Sequence, residues 1–325
     1  MRLLAALPAR LPVRLLGGLL LAGLLVAAAP PARAADKLTV LLDWFVNPDH
    51  GPLIVAQELG LFADQGLEVE LIAPADPNDP PKLVAAGKAE VAISYQPQLH
   101  LQADQGLPLV RFGTLVATPL NTLTVLADGP VKTLADLKGR KVGFSVAGTE
   151  EATLNAMLRT VGLSTADVVL VNVNFSLSPS LISGQVDAVI GAYRNFELNQ
   201  MDIVGRPGRA FYVEEHGVPP FDQLIYVTHK DLAADPRLPR FLDATERAVQ
   251  YMVNHPDAAW ALFVRNNKEV DDELNRRAWR DTLPRFALRP AAFDARRYQR
   301  MAEFLKAADL IRSVPPVESY AIAVR

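Results

Sequence analysis

Four short segments of this chain gather side chains that could recognise a ligand, and each follows an apolar run that reads as a strand. Asp43-Trp44-Phe45-Val46-Asn47-Pro48-Asp49-His50 sets an indole, carboxylates, an amide and an imidazole side by side. As packing, Trp44 would cap a core and Asp49 a helix; as a site, the same residues offer a ring face flanked by hydrogen-bonding groups. Tyr95-Gln96-Pro97-Gln98 follows a second run, and there Tyr95 serves packing or contact equally well. Gly143-Phe-Ser-Val-Ala-Gly148-Thr149-Glu150-Glu151 places glycines at a strand-to-helix turn, with Thr149 expected as the helix cap. Free backbone N–H groups in such a turn can hold a ligand oxygen. Glu150 and Glu151 read there as partners of the helix dipole. Tyr193-Arg194-Asn195-Phe196-Glu197 again joins an aromatic, a guanidinium, an amide and a carboxylate at a strand end.

Catalytic readings of these segments fail on their own spacing. Gly143-Phe-Ser145-Val-Ala147 approaches a nucleophile elbow but lacks the final glycine, and no partner histidine follows with a clear role. Gly143 to Gly148 imitates a phosphate loop, yet Thr149 stands where lysine is needed. His50, His100, His216, His229 and His255 show no metal-ligand spacing, and only His50 falls in a candidate segment. The chain has no cysteine, which excludes disulfides, thiolate metal sites, iron–sulfur clusters and cysteine nucleophiles. No catalytic residue, metal or cofactor is expected. Aromatic faces beside carboxylates and amides suit a flat, amino-substituted heterocycle, although sugar sites also stack on aromatic rings.

The elements that would carry these segments alternate. Strands are expected at 37–44, 68–73, 91–95 and 110–117, then at 122–126, 141–146, 168–173 and 188–193. Helices are expected at 51–65, 82–88, 149–161 and around 179–183, with a mainly helical region from Leu232. Pro74-Ala-Asp-Pro-Asn-Asp-Pro-Pro81 reads as a loop, because prolines at this density sustain neither a ladder nor a helix interior. Alternation of this kind argues for an α/β protein with parallel, doubly wound sheets, and the number of strands suits two lobes better than one sheet. Ligands of such sheets sit beyond the carboxyl ends of the strands, where the four segments fall.

Half of the 325 residues are hydrophobic (50%) and the formal charge is −3, a globular composition that gives no invitation to nucleic acid. Met1 to Ala34 carries four arginines and no acidic residue, with an uncharged stretch from Leu15 to Ala32 that meets Ala32-Arg33-Ala34. This pattern predicts a cleaved secretory signal peptide over 1–34 and a periplasmic location. Its removal makes the mature chain more acidic. A monomer is expected.

Leu42-Asp43-Trp44-x-x-Asn47-x-x-His50-x-Pro52 and Ala56-Gln-Glu-Leu-Gly-Leu-Phe62 resemble the NMT1/THI5-like group of type II periplasmic binding proteins. Pro74-x-Asp76-Pro-x-Asp79-Pro80, Ile93-Ser-Tyr-Gln-Pro97, Gly191-Ala-Tyr-Arg-Asn-Phe-Glu197 and Val218-Pro-Pro-Phe-Asp-Gln-Leu-Ile225 resemble its branch that binds thiamine-pyrimidine precursors. The resemblance implies two doubly wound lobes joined by crossover strands near 121–126 and 223–228. Lobe I would hold 36–120 and 222–325, and lobe II 121–221. It also implies a receptor that delivers a formylaminopyrimidine or hydroxymethylpyrimidine to an ABC permease and its ATPase. The expected ligand-binding set is Asp43, Trp44, Asn47, His50, Tyr95, Gly148, Thr149, Tyr193, Asn195 and Glu197. Eukaryotic members of the group are pyrimidine synthases with a pyridoxal phosphate-binding lysine, a substrate histidine and a cysteine-rich iron motif. Here Ser94 aligns with that lysine and Gln98 with that histidine, so no Schiff base can form at that position. A non-enzymatic receptor is therefore expected, with riboflavin, a pyridoxine-like ring or an aromatic sulfonate as rival solutes.

Overall fold

The computed structural model describes residues 34–324, so the expected leader lies outside the described residues except for Ala34. Among the described residues, ten strands form two five-stranded sheets. The first holds β1 (Asp36–Leu41), β2 (Leu67–Ile72), β3 (Val91–Ser94) and β4 (Leu109–Val116). The second holds β5 (Asn121–Leu126), β6 (Lys141–Phe144), β7 (Val169–Asn172), β8 (Ala188–Tyr193) and β9 (Gly208–Tyr212). β10 (Leu224–His229) returns to the first sheet. The strand orders are β2-β1-β3-β10-β4 and β7-β6-β8-β5-β9.

In each sheet one strand runs against the rest. β10 is antiparallel to β3 and β4, and β5 is antiparallel to β8 and β9. These are the strands reached when the chain passes between the sheets, once from β4 to β5 and once from β9 to β10. The strands β1, β3, β6 and β8 run parallel within their sheets; β3, β6 and β8 are largely apolar and bury most of their residues, as strands covered on both faces must, whereas in β1 burial is confined to Leu38, Val40 and Leu41.

The helical C-terminal region does not serve one sheet alone. Arg237–Asn254, Pro256–Phe263 and Glu273–Thr282 bury Phe241, Trp260 and Trp279 in the cluster of Leu38, Val40 and Tyr226. Ala295–Ala307 instead sends Met301, Ala302 and Leu305 into the cluster of Leu123, Val142 and Leu154. Arg297 on this helix donates to Ala117 O on the first passage (2.8 Å) and also to the Asp222 carboxylate on the second. Gln223 Oε1 accepts from the N–H groups of Leu120 (2.8 Å) and Asn121 (3.1 Å), a second tie between the passages.

Three expectations are corrected. Helix 51–65 is two helices, Gly51–Glu58 and Leu61–Asp64, parted by Gly60 at φ 71°, a conformation glycine adopts without cost. Pro80 and Pro81 leave the loop and open the helix Pro80–Ala85, because the first helical turn needs no N–H partner. Thr149 is the first residue of the helix Thr149–Arg159, and Gly148 at φ 80° is its cap. The helices Gln96–Asp104 and Glu197–Ile203 and the strand β9 were not foreseen. Among the described residues no helix is long and apolar enough to cross a membrane.

Candidate functional site

The carboxyl ends of β1 and β3 in one sheet face those of β6 and β8 in the other across an open cavity. Asp43, Trp44, Asn47 and Asp49 come from the segment after β1, and Tyr95 and Pro97 from the segment after β3. Thr149, Glu150 and Thr153 project from the helix that follows β6, and Tyr193, Phe196 and Glu197 from the end of β8. Asn121, Phe221 and Gln223 line it from the two passages. Among the described residues that line the cavity, none is Lys, Arg or His.

The Asp43 carboxylate is held from two sides. Tyr95 OH donates to Oδ2 and His50 Nε2 lies at Oδ1, both at 2.9 Å. The Asn47 N–H points at His50 Nδ1 (3.3 Å), which leaves Nε2 as the ring nitrogen facing Asp43. His50 is fully buried behind Asp43 and does not line the cavity. Asn47 caps the turn Pro48–His50: its Oδ1 accepts from Asp49 N (2.8 Å) and its Nδ2 donates to Phe45 O (3.0 Å).

Asn195 likewise lies behind the wall. Its Nδ2 donates to Asp49 Oδ1 and lies at Thr282 Oγ1, both at 2.7 Å, and Thr282 Oγ1 also donates to Asp49 (3.0 Å). The side chain of a residue after β8 thus holds a carboxyl group from the segment after β1. Of the expected set, seven residues line the cavity, while His50 and Asn195 support it and Gly148 forms the cap beside it. Thr149 Oγ1 is buried with no protein partner.

Glu150 is the residue whose role the sequence concealed. It is 6% exposed, and Oε2 accepts from Ser145 N at 2.6 Å. Gly191 makes room for it: a Cβ at that glycine would stand 2.1 Å from Glu150 Oε1, and its φ of +100° disfavours any other residue. Burial pushes the Glu150 carboxyl up to about 8, against the pull of the Ser145 and Val146 amides. Glu197, whose Oε2 accepts from Tyr193 N (2.6 Å), is pushed up to about 7 by burial. Asp49 reaches about 6, again chiefly through burial, opposed by His50 and aided by the Asp43 charge. Burial and neighbouring carboxylates hold the Tyr95 and Tyr193 hydroxyls well above their usual range, so both remain neutral donors. Tyr193 OH accepts from Gln223 Nε2 at 3.0 Å.

Arg194 is absent from the wall because its guanidinium forks onto Glu214 (2.7 and 2.8 Å) and lies 4.2 Å from the Tyr212 ring centre. At one rim, Trp44 meets Phe175 edge-on with ring centres 4.5 Å apart, and Phe45 lies 5.8 Å from Phe196. Ser94 and Gln98 lie outside the cavity wall and bond to each other, Ser94 Oγ donating to Gln98 Oε1 at 3.0 Å.

The sequence pattern of NMT1/THI5-like proteins matches residues 47–259. The chain belongs to the NMT1/THI5-like family. A Haemophilus influenzae protein named for thiamine biosynthesis is 52% identical over 295 residues, covering 90% of this chain and 94% of its own length. A Halalkalibacterium halodurans relative named formylaminopyrimidine-binding protein is 34% identical over 262 residues, covering 80% of this chain and 79% of its own. The alkanesulfonate-binding protein of Xanthomonas axonopodis superposes with a TM-score of 0.70 at 16% identity, over 91% of this chain and 99% of that one. This NMT1/THI5-like protein therefore has the periplasmic-binding-protein fold, as its two sheets and two exchanged strands require.

Proposed function

We propose that this NMT1/THI5-like protein is the periplasmic solute-binding component of an ABC importer and captures an unphosphorylated aminopyrimidine precursor of thiamine. The formylaminopyrimidine and hydroxymethylpyrimidine types are the solutes meant. One observation carries the reading: aromatic rings wall the cavity together with Asp43, Asp49, Glu150 and Glu197, without a basic side chain. Ring faces of Trp44, Tyr95 and Tyr193 favour a flat π system, each pair adding about 0.5–1.5 kcal/mol beyond area burial. The carboxyl groups accept from an exocyclic amino group or a protonated ring nitrogen. A phosphate or sulfonate would find carboxyl groups around it and no cation to pair with. The name of the Halalkalibacterium relative supports the same solute class.

In this reading lobe I (36–120 and 222–325) and lobe II (121–221) close over the ligand about the two passages. Asp43, Trp44, Asn47, Tyr95, Thr149, Tyr193 and Glu197 contact it, with His50, Asn195 and Gly148 supporting the wall. The signal peptide over 1–34 delivers the chain to the periplasm, where a permease and its ATPase accept the solute from the monomer. A synthase reading finds no support in these residues: Ser94 offers no amine for an aldehyde cofactor, and a phosphorylated cofactor would face four carboxyl groups.

The test is calorimetric titration of the mature protein, stripped of ligand by unfolding and refolding, with formylaminopyrimidine, hydroxymethylpyrimidine, thiamine, riboflavin and pyridoxine. One-to-one binding of a monocyclic aminopyrimidine is expected, weakened at least roughly tenfold in Trp44→Ala and in Tyr193→Ala. Heat from riboflavin alone would replace the solute, and wild-type affinity in either variant would remove that ring from the site.

A further inference from the structure

The loop after β2 reaches across to the opposite lobe through one side chain. Asn78 Oδ1 accepts from Ala147 N at 2.8 Å, and its Nδ2 donates to Ser145 O at 3.1 Å. Both groups belong to the turn after β6. The other amides of that turn are taken locally: Ser145 N–H goes to Glu150 and Gly148 N–H to Glu151. Val146 of this turn packs into the hydrophobic cluster of the facing lobe, and the Asn78 bonds are the hydrogen bonds that tie the turn to it. The turn leads directly into Thr149 and Glu150, which line the cavity, whereas Asn78 does not.

The carboxamide is poised for this task. Asp76 Oδ1 accepts from both the backbone N–H (2.8 Å) and the Nδ2 (2.9 Å) of Asn78, which fixes the side chain's direction. Pro74, Pro77, Pro80 and Pro81 limit the loop's freedom, so little entropy is lost when the contact forms. The planar carboxamide presents an acceptor and a donor side by side, one for each of the two backbone groups. Both bonds exist only while the two lobes are together.

We propose that Asn78 is a positioning residue for solute binding: it clasps the Ser145–Ala147 turn, holds Thr149 and Glu150 against the solute, and slows its release. The inference rests on the receptor reading above and adds a residue that never touches the ligand.

The experiment has two arms. In stopped-flow tryptophan fluorescence with formylaminopyrimidine, Asn78→Ala is expected to associate at the wild-type rate and dissociate on the order of tenfold faster, as for loss of two neutral hydrogen bonds. Asn78→Asp, which keeps an acceptor but turns a carboxylate toward Ser145 O, is expected to release at least as fast. In the second arm, amide exchange across 145–148 is expected to quicken in Asn78→Ala relative to wild type, with or without ligand. Unchanged release in both variants, or unchanged exchange, overturns the proposal. So does faster release matched by an equal loss of thermal stability in the free variants, which would assign Asn78 to folding. If wild type binds no aminopyrimidine, the receptor reading fails by itself, and the exchange arm still decides whether the clasp exists.

Discussion

Glu150 holds its proton up to about pH 8 when folded, whereas the unfolded chain releases it near 4.5. Between those values the folded state binds the extra proton, so stability falls as pH rises. Glu197, at about 7, and Asp49, at about 6, act in the same direction over narrower windows. The ligand-free protein should therefore melt at a higher temperature at pH 5 than at pH 8. Glu150→Gln should remove most of the slope above pH 7 and raise the pH 8 melting temperature by a few degrees. Scanning calorimetry across this range decides it, and an unchanged slope in the variant would show that Glu150 is not the buried acid argued here. The sequence conveyed the residue but not its role. Two glutamates opening a helix read as dipole partners because their environment depends on Gly191, which is distant in the chain. Asn195 and His50 were legible as site residues by type. That they stand behind Asp49 and Asp43 is a matter of tertiary geometry alone.

At the scale of the element, the end of β8 is shaped by that same glycine. Gly191 has a φ of +100° and its missing side chain is the space Glu150 Oε1 occupies. Gly191→Ala combines backbone strain with a clash and should cost roughly 2–4 kcal/mol in denaturant unfolding. It should also abolish solute binding by displacing the carboxyl from the wall; a variant as stable as wild type would mean that Glu150 moves aside freely. The four strand ends were readable because a parallel sheet gathers the carboxyl ends of its strands along one edge, so local composition there reports on a shared site. The helix Gln96–Asp104 was not, since its polar residues Gln96, Gln98, His100 and Gln102 are buried and hide the helical period. β9 escaped because it is an edge strand whose residues are all only partly buried.

For the molecule as a whole, two lobes meet at the cavity through the Asn78 clasp, the Asp49–Asn195 bond and the aromatic contact of Trp44 with Phe175. Arg297 and Gln223 tie the two passages together. The two-lobed α/β plan was legible from the alternation of elements, but the exchanged strands and the division of the C-terminal helices between both cores were products of long-range packing. In the proposed reading, what would separate this molecule from a binder of sulfonates or from a phosphate-handling synthase is a cavity wall with carboxyl groups and no basic side chain. The most direct measurement is a paired calorimetric titration of the protein with hydroxymethylpyrimidine and with its phosphate monoester. An anion buried without a cation to pair it costs several kcal/mol, so the unphosphorylated ring should bind one-to-one and its phosphate at least roughly a hundredfold more weakly. Equal or tighter binding of the phosphate would contradict the account at its centre.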